Sequence, residues 1–101
     1  MNKTEAKYAE VLEILYKSGE ILWYKFEGIK FRLADKTFYS PDFAVLNRNH
    51  QIEIHEVKPS SKGKPFIRDD AAVKIKVAAQ LYPFVFKIVY PVKGSWKTET
   101  I

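Results

Sequence analysis

Charged side chains intrude on the apolar face of a pair of neighbouring strands, and this conflict limits what the chain can be more than any other feature. Ser40-Pro41-Asp42-Phe43-Ala44-Val45-Leu46 is followed, after the polar reversal Asn47-Arg48-Asn49-His50, by Gln51-Ile52-Glu53-Ile54-His55-Glu56-Val57-Lys58. Residues two apart share a strand face, so Ile52, Ile54, Glu56 and Lys58 form a series that turns from apolar to charged partway along. Removing an isolated carboxylate from water is costly, so such a group carries a partner, a cation or a task.

The reversal predicts two antiparallel strands, and apolar matching selects their register. With Leu46 opposite Ile52, Ala44 meets Ile54 and Asp42 meets Glu56, all on one face. Opposed Cβ atoms lie roughly 4.5 to 5.5 Å apart, which lets both carboxylates reach one small cation. Lys58 follows one step beyond on the same side. A slip of one residue would send the two acids to opposite faces.

Two carboxylates and an ammonium on one face suit metal-assisted phosphodiester cleavage. Oxygen donors select a hard ion such as Mg²⁺, which keeps several waters and offsets charge on a scissile phosphate, while the ammonium orients or helps deprotonate the attacking water. With no cysteine and two histidines, zinc is not indicated. A bare Pro-Asp with Glu-x-Lys is a short pattern, better explained by a strand-entry Asp and a solvated edge pair. The apolar frame and the matched register tip the balance toward a site.

Pro41-Asp42 followed by Glu56-Val57-Lys58 resembles the PD-(D/E)xK nuclease signature. The surrounding sequence resembles small phage endonucleases related to Holliday junction resolvases. The likeness covers nearly the whole chain, most characteristically at Thr4-Glu5-Ala6, Phe38-Tyr39-Ser40-Pro41-Asp42-Phe43, His55-Glu56-Val57-Lys58 and Asp69-Asp70-Ala71-Ala72-Val73-Lys74-Ile75-Lys76. It implies a restriction-endonuclease-like core and a catalytic set of Glu5, Asp42, Glu56 and Lys58. Asp42 and Glu56 would bind Mg²⁺ or Mn²⁺ with the Val57 carbonyl as a further ligand, and Lys58 would position water. It also implies branched DNA as substrate. Symmetric cutting of a four-way junction makes a homodimer the natural form.

Along the chain, Asn2 begins a helix carrying Tyr8, Val11, Leu12, Leu15 and Tyr16 at helical spacing, and Gly19 ends it. Glu5 stands where a capping-box carboxylate belongs; only the resemblance promotes it to the site. Glu10 and Glu13 are alternatives, with Glu13 reading as solvated surface. Segments 21–27 and 29–34, meeting near Gly28, then 38–46 and 51–58, predict an antiparallel meander. Trp23 and Tyr24 read as packing residues. A loop at 59–65 carries Lys62 and Lys64, a helix capped by Asp69 runs to Pro83 with a buried stripe of Ala72, Val73, Ile75, Val77, Ala79 and Leu81, and segment 84–90 predicts a strand beside the Glu56 strand. The result is a helix, a run of antiparallel strands, a second helix and a last strand, a mixed-sheet α/β fold in a single domain, 1–101, with 91–101 a loosely ordered tail; the resemblance implies αβββαβ as its core order. Trp96 would pack back on the sheet or join a partner chain.

The formal charge of +5 favours a polyanionic partner, making Lys62, Lys64, Lys74 and Lys76 candidates for DNA contact. Lys74 and Lys76 lie about 200° apart around a helix, so one phosphate cannot take both. At 47% hydrophobic residues the chain should fold. The absence of cysteine and of any stretch near the roughly 20 apolar residues of a membrane span predicts a soluble cytoplasmic protein, working in a host cytoplasm if phage-encoded. Two rivals to the nuclease are a non-catalytic nucleic-acid-binding module on the same fold and a small phage interaction protein.

Overall fold

The computed structural model describes residues 1–101. Helix α1 spans Lys3–Lys17, and the Asn2 and Glu5 side chains each accept the other's backbone N–H at 2.8 Å. Two orphan amides are satisfied reciprocally, which fixes where the helix begins. Tyr8 and Leu12 point inward, whereas Tyr16 is half exposed. Strand β1 (Ile21–Phe26) follows.

The main sheet does not continue from β1 to the next segment. β1 pairs instead with β4 (Phe43–Asn47), while β2 (Phe31–Ala34) and β3 (Thr37–Tyr39) form a separate ribbon. The single strand expected over 38–46 is broken because Pro41 has no N–H for a ladder. Its place is taken by a bend in which the Glu27 amide donates to the Asp42 carbonyl at 2.7 Å. β5 (Ile52–Val57) pairs antiparallel with β4 in the register that apolar matching predicts, Leu46 with Ile52 and Ala44 with Ile54. The reversal is tied by the Asn47 side chain, which accepts from the amides of Asn49 and Gln51.

After β5 the chain makes a miniature ribbon, β6 (Ser60–Ser61) and β7 (Lys64–Pro65), where a featureless loop was expected. Its turn is Lys62-Gly63, with φ of 53° and 76°. Two consecutive positive φ values are what a tight two-residue hairpin turn requires, and glycine supplies one without strain. Helix α2 (Asp69–Leu81) then leads to β8 (Val85–Val92), which lies parallel to β5. Asp69 is not the cap as expected. Arg68 holds that position with no side-chain bond, and Asp69 begins the helix, where its charge meets the amino-terminal dipole.

The stripe expected on α2 is narrower than its apolar residues suggest. Ile75 and Ala78 are buried, while Val73 and Leu81 are more than half exposed. The tail is also not loose. β8 runs on to Val92, and Lys93-Gly94 (φ 49° and 81°) turns it into β9 (Ser95–Thr100), the sheet's edge strand. Its polarity reflects its edge position. Trp96 packs back on Tyr8 with ring centroids 4.9 Å apart.

The result is a mixed five-stranded sheet of order β1-β4-β5-β8-β9, covered by a helix on each face. Ala44, Ile54, Phe86, Ile88 and Tyr90 pack with Ile75 and Ala78 of α2. Phe43, Val45, Val57 and Val89 pack with Tyr8 and Leu12 of α1. The mixed α/β class stands, with two ribbons and one extra strand beyond the expected order. No helix is long and apolar enough to cross a membrane.

Candidate active site

Strand alternation decides which acid goes where. Glu56 shares a face with Ile54 and so projects toward the α2 layer, 7% exposed, where Tyr39 from β3 donates to its Oε1 at 2.6 Å. Lys58, just past the end of β5, places Nζ 3.1 Å from the other carboxylate oxygen, Oε2. Both oxygens of one carboxylate are therefore held, one by a hydroxyl and one by an ammonium. Burial raises the Tyr39 hydroxyl above its ordinary value, with the Glu56 charge adding to it, so Tyr39 stays a donor.

Asp42 sits one residue before β4, where the ladder ends. Its side chain accepts from the Val57 amide at 2.8 Å, so a carboxylate takes over the role a backbone carbonyl plays in a regular ladder. Amide and carbonyl of one strand residue point the same way, which turns the Val57 carbonyl toward Asp42 as well. The Asp42 carboxyl is pushed up to about 8, first by burial and then by the Glu56 charge, with the Val57 amide pulling the other way. Glu5 adds to the rise, its carboxylate within hydrogen-bonding reach of Asp42. Glu5 is therefore both cap and neighbour of the site.

Asp42 thus neighbours both Glu56 and Glu5, and one ammonium, Lys58, stands on Glu56. No three His, Asp or Glu side chains are packed tightly enough to cage an ion unaided. The donor set is a pair of carboxylates, a third at its margin and a carbonyl, all oxygen. That set fits a hard divalent ion that retains part of its water shell, and the excess negative charge favours one.

The basic candidates are scattered. Lys62 and Lys64 stand exposed at the tip of the β6–β7 ribbon, just beyond Lys58, and Lys74 and Lys76 are exposed on α2. None of these four joins any ion pair. Glu10 is exposed surface, and Glu13 accepts from the Tyr24 hydroxyl at 2.7 Å.

Sequence reasoning passed over Tyr39 as a partner of Glu56 and missed a second polar cluster on the other face of β5. There Tyr8 Oη lies 2.7 Å from His55 Nδ1, and His55 Nε2 lies 2.8 Å from Glu53 Oε1. Lys87 Nζ approaches the same oxygen at 3.1 Å, and Asn47 donates to Glu53 Oε2 at 2.8 Å. The signal was available: Glu53 and His55 alternate with Ile54 and Glu56, so both faces of β5 carry charge. Set against known proteins, the chain matches no family model, no curated protein and no solved structure.

Proposed function

We propose that the chain is a metal-dependent endonuclease of the PD-(D/E)xK type that hydrolyses phosphodiester bonds in DNA. One observation carries this reading. The β4–β5 register brings Asp42 and Glu56 to the same end of the sheet, with the Val57 amide on Asp42 and Lys58 on Glu56. A structural role explains such a cluster poorly, because Asp42 neighbours both Glu56 and Glu5 in a partly buried place where the one ion pair is Lys58 with Glu56.

Asp42, Glu56 and the Val57 carbonyl would hold Mg²⁺ or Mn²⁺, with Glu5 adding charge at the margin. A bound divalent ion supplies a Lewis acid for the phosphate and lowers the pKa of a bound water. Tyr39 fixes the Glu56 rotamer by holding Oε1. Lys58, on the opposite oxygen, orients a water at the phosphorus and offsets the charge that grows there. The water oxygen bonds to phosphorus, one P–O ester bond breaks, and the departing oxygen takes a proton. Branched DNA is the preferred substrate in this reading, cut by two copies of the chain. The exposed lysines at 62 and 64 supply non-specific attraction to phosphate.

A cleavage panel of four-way junction, fork, duplex and single strand, run with Mg²⁺, Mn²⁺ or a chelator, tests the proposal. Metal-dependent cutting of branched DNA is expected, abolished by chelator. Lys58→Ala should lower the rate by roughly 10²- to 10⁴-fold, as loss of a proton-handling group does, while leaving DNA affinity in place. Binding without cutting under every metal condition would identify a non-catalytic module instead.

A further inference from the structure

Phe66 is a large aromatic residue left 62% exposed beside the proposed site. Its place is built rather than incidental. The β6–β7 ribbon folds the chain back so that the Phe66 amide donates to the Pro59 carbonyl at 2.7 Å, one residue past Lys58. Phe66, Arg68, Lys58 and Pro59 line one open groove of about 290 Å³ together with Asp70 and Ala71. Ligand pockets run upward from roughly 300 Å³, so this one admits a single planar group and not a duplex.

The charges around it select the occupant. Arg68, Lys62 and Lys64 have no acidic partner, and Lys58 shares its groove with the aromatic ring. Asp69 and Asp70 occupy the first turn of α2, so a phosphate is repelled from that helix end and falls to the flanking cations. An aromatic face with cations on its rim is the arrangement that binds an unstacked base and its backbone.

We infer that this groove seats one nucleobase unpaired from the DNA, stacked on Phe66, with Arg68 toward the adjoining phosphate. The inference rests on the nuclease reading and deepens it: a substrate that offers an unpaired nucleotide next to the scissile bond, as a branch point does, is favoured because the base has somewhere to go.

A tetrahydrofuran abasic residue stepped through one arm of a splayed-arm DNA tests this. Affinity of the full chain is measured with a chelator present, and cleavage rate with Mg²⁺. At one register the missing base should weaken binding by roughly 5- to 150-fold, the range for one stacked base. Phe66→Ala should bind intact DNA as weakly as the wild type binds that abasic substrate, and should be indifferent to the lesion. Phe66→Trp should restore the dependence. A flat abasic scan in the wild type overturns the inference, as does Phe66→Ala keeping the full dependence. It is equally overturned if that variant changes only the oligomeric state in sedimentation, because the ring then serves a second copy of the chain. Base-dependent binding without cleavage would sink the nuclease reading and spare the groove; cleavage with a flat scan would do the reverse.

Discussion

Strand β5 carries two acids three residues apart, and they lead opposite lives. Glu53, facing α1, is surrounded by donors: His55, Asn47 and Lys87 all reach it. Its pKa falls to about 2, chiefly through the His55 hydrogen bond and against the effect of burial. Glu56, facing α2, has a hydroxyl and one ammonium, with Asp42 beside it and Glu5 beside Asp42. There the acid that titrates abnormally, Asp42, moves up. One cluster is neutralised by its own protein. The other is left short of positive charge, which on the nuclease reading a divalent ion supplies.

The balanced cluster also aligns its own hydrogen bonds. Glu53 is an acceptor only, so His55 donates to it through Nε2, with Tyr8 Oη at Nδ1. Burial raises the Tyr8 hydroxyl, with the Glu53 charge adding to it, so Tyr8 keeps its proton. The chain Tyr8–His55–Glu53 ties α1 to the sheet, and no buried side-chain polar atom anywhere lacks a partner. This is a strut, and its worth is structural.

The sharpest way to break the comparison is to remove each charge in turn. Glu56→Gln should lower DNA cleavage by about 10³-fold, the loss expected when several kcal/mol of charge stabilisation disappears, and should leave the metal-free melting temperature unchanged or higher. Glu53→Gln should do the opposite: about 2 kcal/mol of stability lost, or roughly 10 °C in melting temperature for a chain of this length. Parallel thermal melts and single-turnover cleavage measure both. If both substitutions unfold the chain equally, the division into site and strut is wrong.

The pH dependence separates the two clusters by sign. Asp42 holds its proton more tightly folded than unfolded, so its contribution is full below its ordinary value of 3.8 and is lost as pH rises toward 8. Glu53 holds its proton less tightly when folded. Its contribution is full above 4.5 and is lost as pH falls through about 2. Discounted for partial exposure, each amounts to about 1–2 kcal/mol. In chelator, Asp42→Asn should flatten the alkaline slope, and Glu53→Gln the acid one. Mg²⁺ binding competes with the proton on Asp42, so the ion should raise the melting temperature more at pH 8.5 than at pH 6. An equal rise at both would remove Asp42 from the ligand set.

How much of this the sequence carried follows from which forces are local. The β4–β5 register was legible because one-residue slips invert every side chain, and only one alignment matched Leu46 with Ile52 and Ala44 with Ile54. Asp42 opposite Glu56 was read as its next pair, whereas the ladder stops at Phe43 and the Asp42 side chain takes the Val57 amide instead. The detachment of β2–β3 was not legible, since Phe31 packs against Tyr82, Phe84 and Phe86, rings far along the chain. Strand β9 was hidden because edge strands read as polar tails unless the Lys93-Gly94 turn is recognised, although Trp96 packing back on the sheet was one of the two places read for it. The strut was missed because its members at 8, 53, 55 and 87 meet only after both sheet and helix exist.

Helix α1 touches both clusters, and that gives the finest test. Glu5 and Tyr8 are three residues apart, hence on one helix face, with Glu5 reaching Asp42 and Tyr8 reaching His55. Glu5 has a second duty in the capping box. Glutamine serves a capping box as well as glutamate does but carries no charge. Glu5→Gln should therefore keep the melting temperature while reducing cleavage and divalent-ion affinity by about 10-fold, one unit of ΔG near 1.4 kcal/mol. Glu5→Ala should lose the same activity and about 0.5–1 kcal/mol of stability besides. If Glu5→Gln cuts DNA like the wild type, Glu5 is a cap alone, and the acidic cluster shrinks to Asp42 and Glu56. That result would leave the contrast with Glu53 standing, because the unmatched charge at the end of β5 comes from those two side chains and the single lysine beside them.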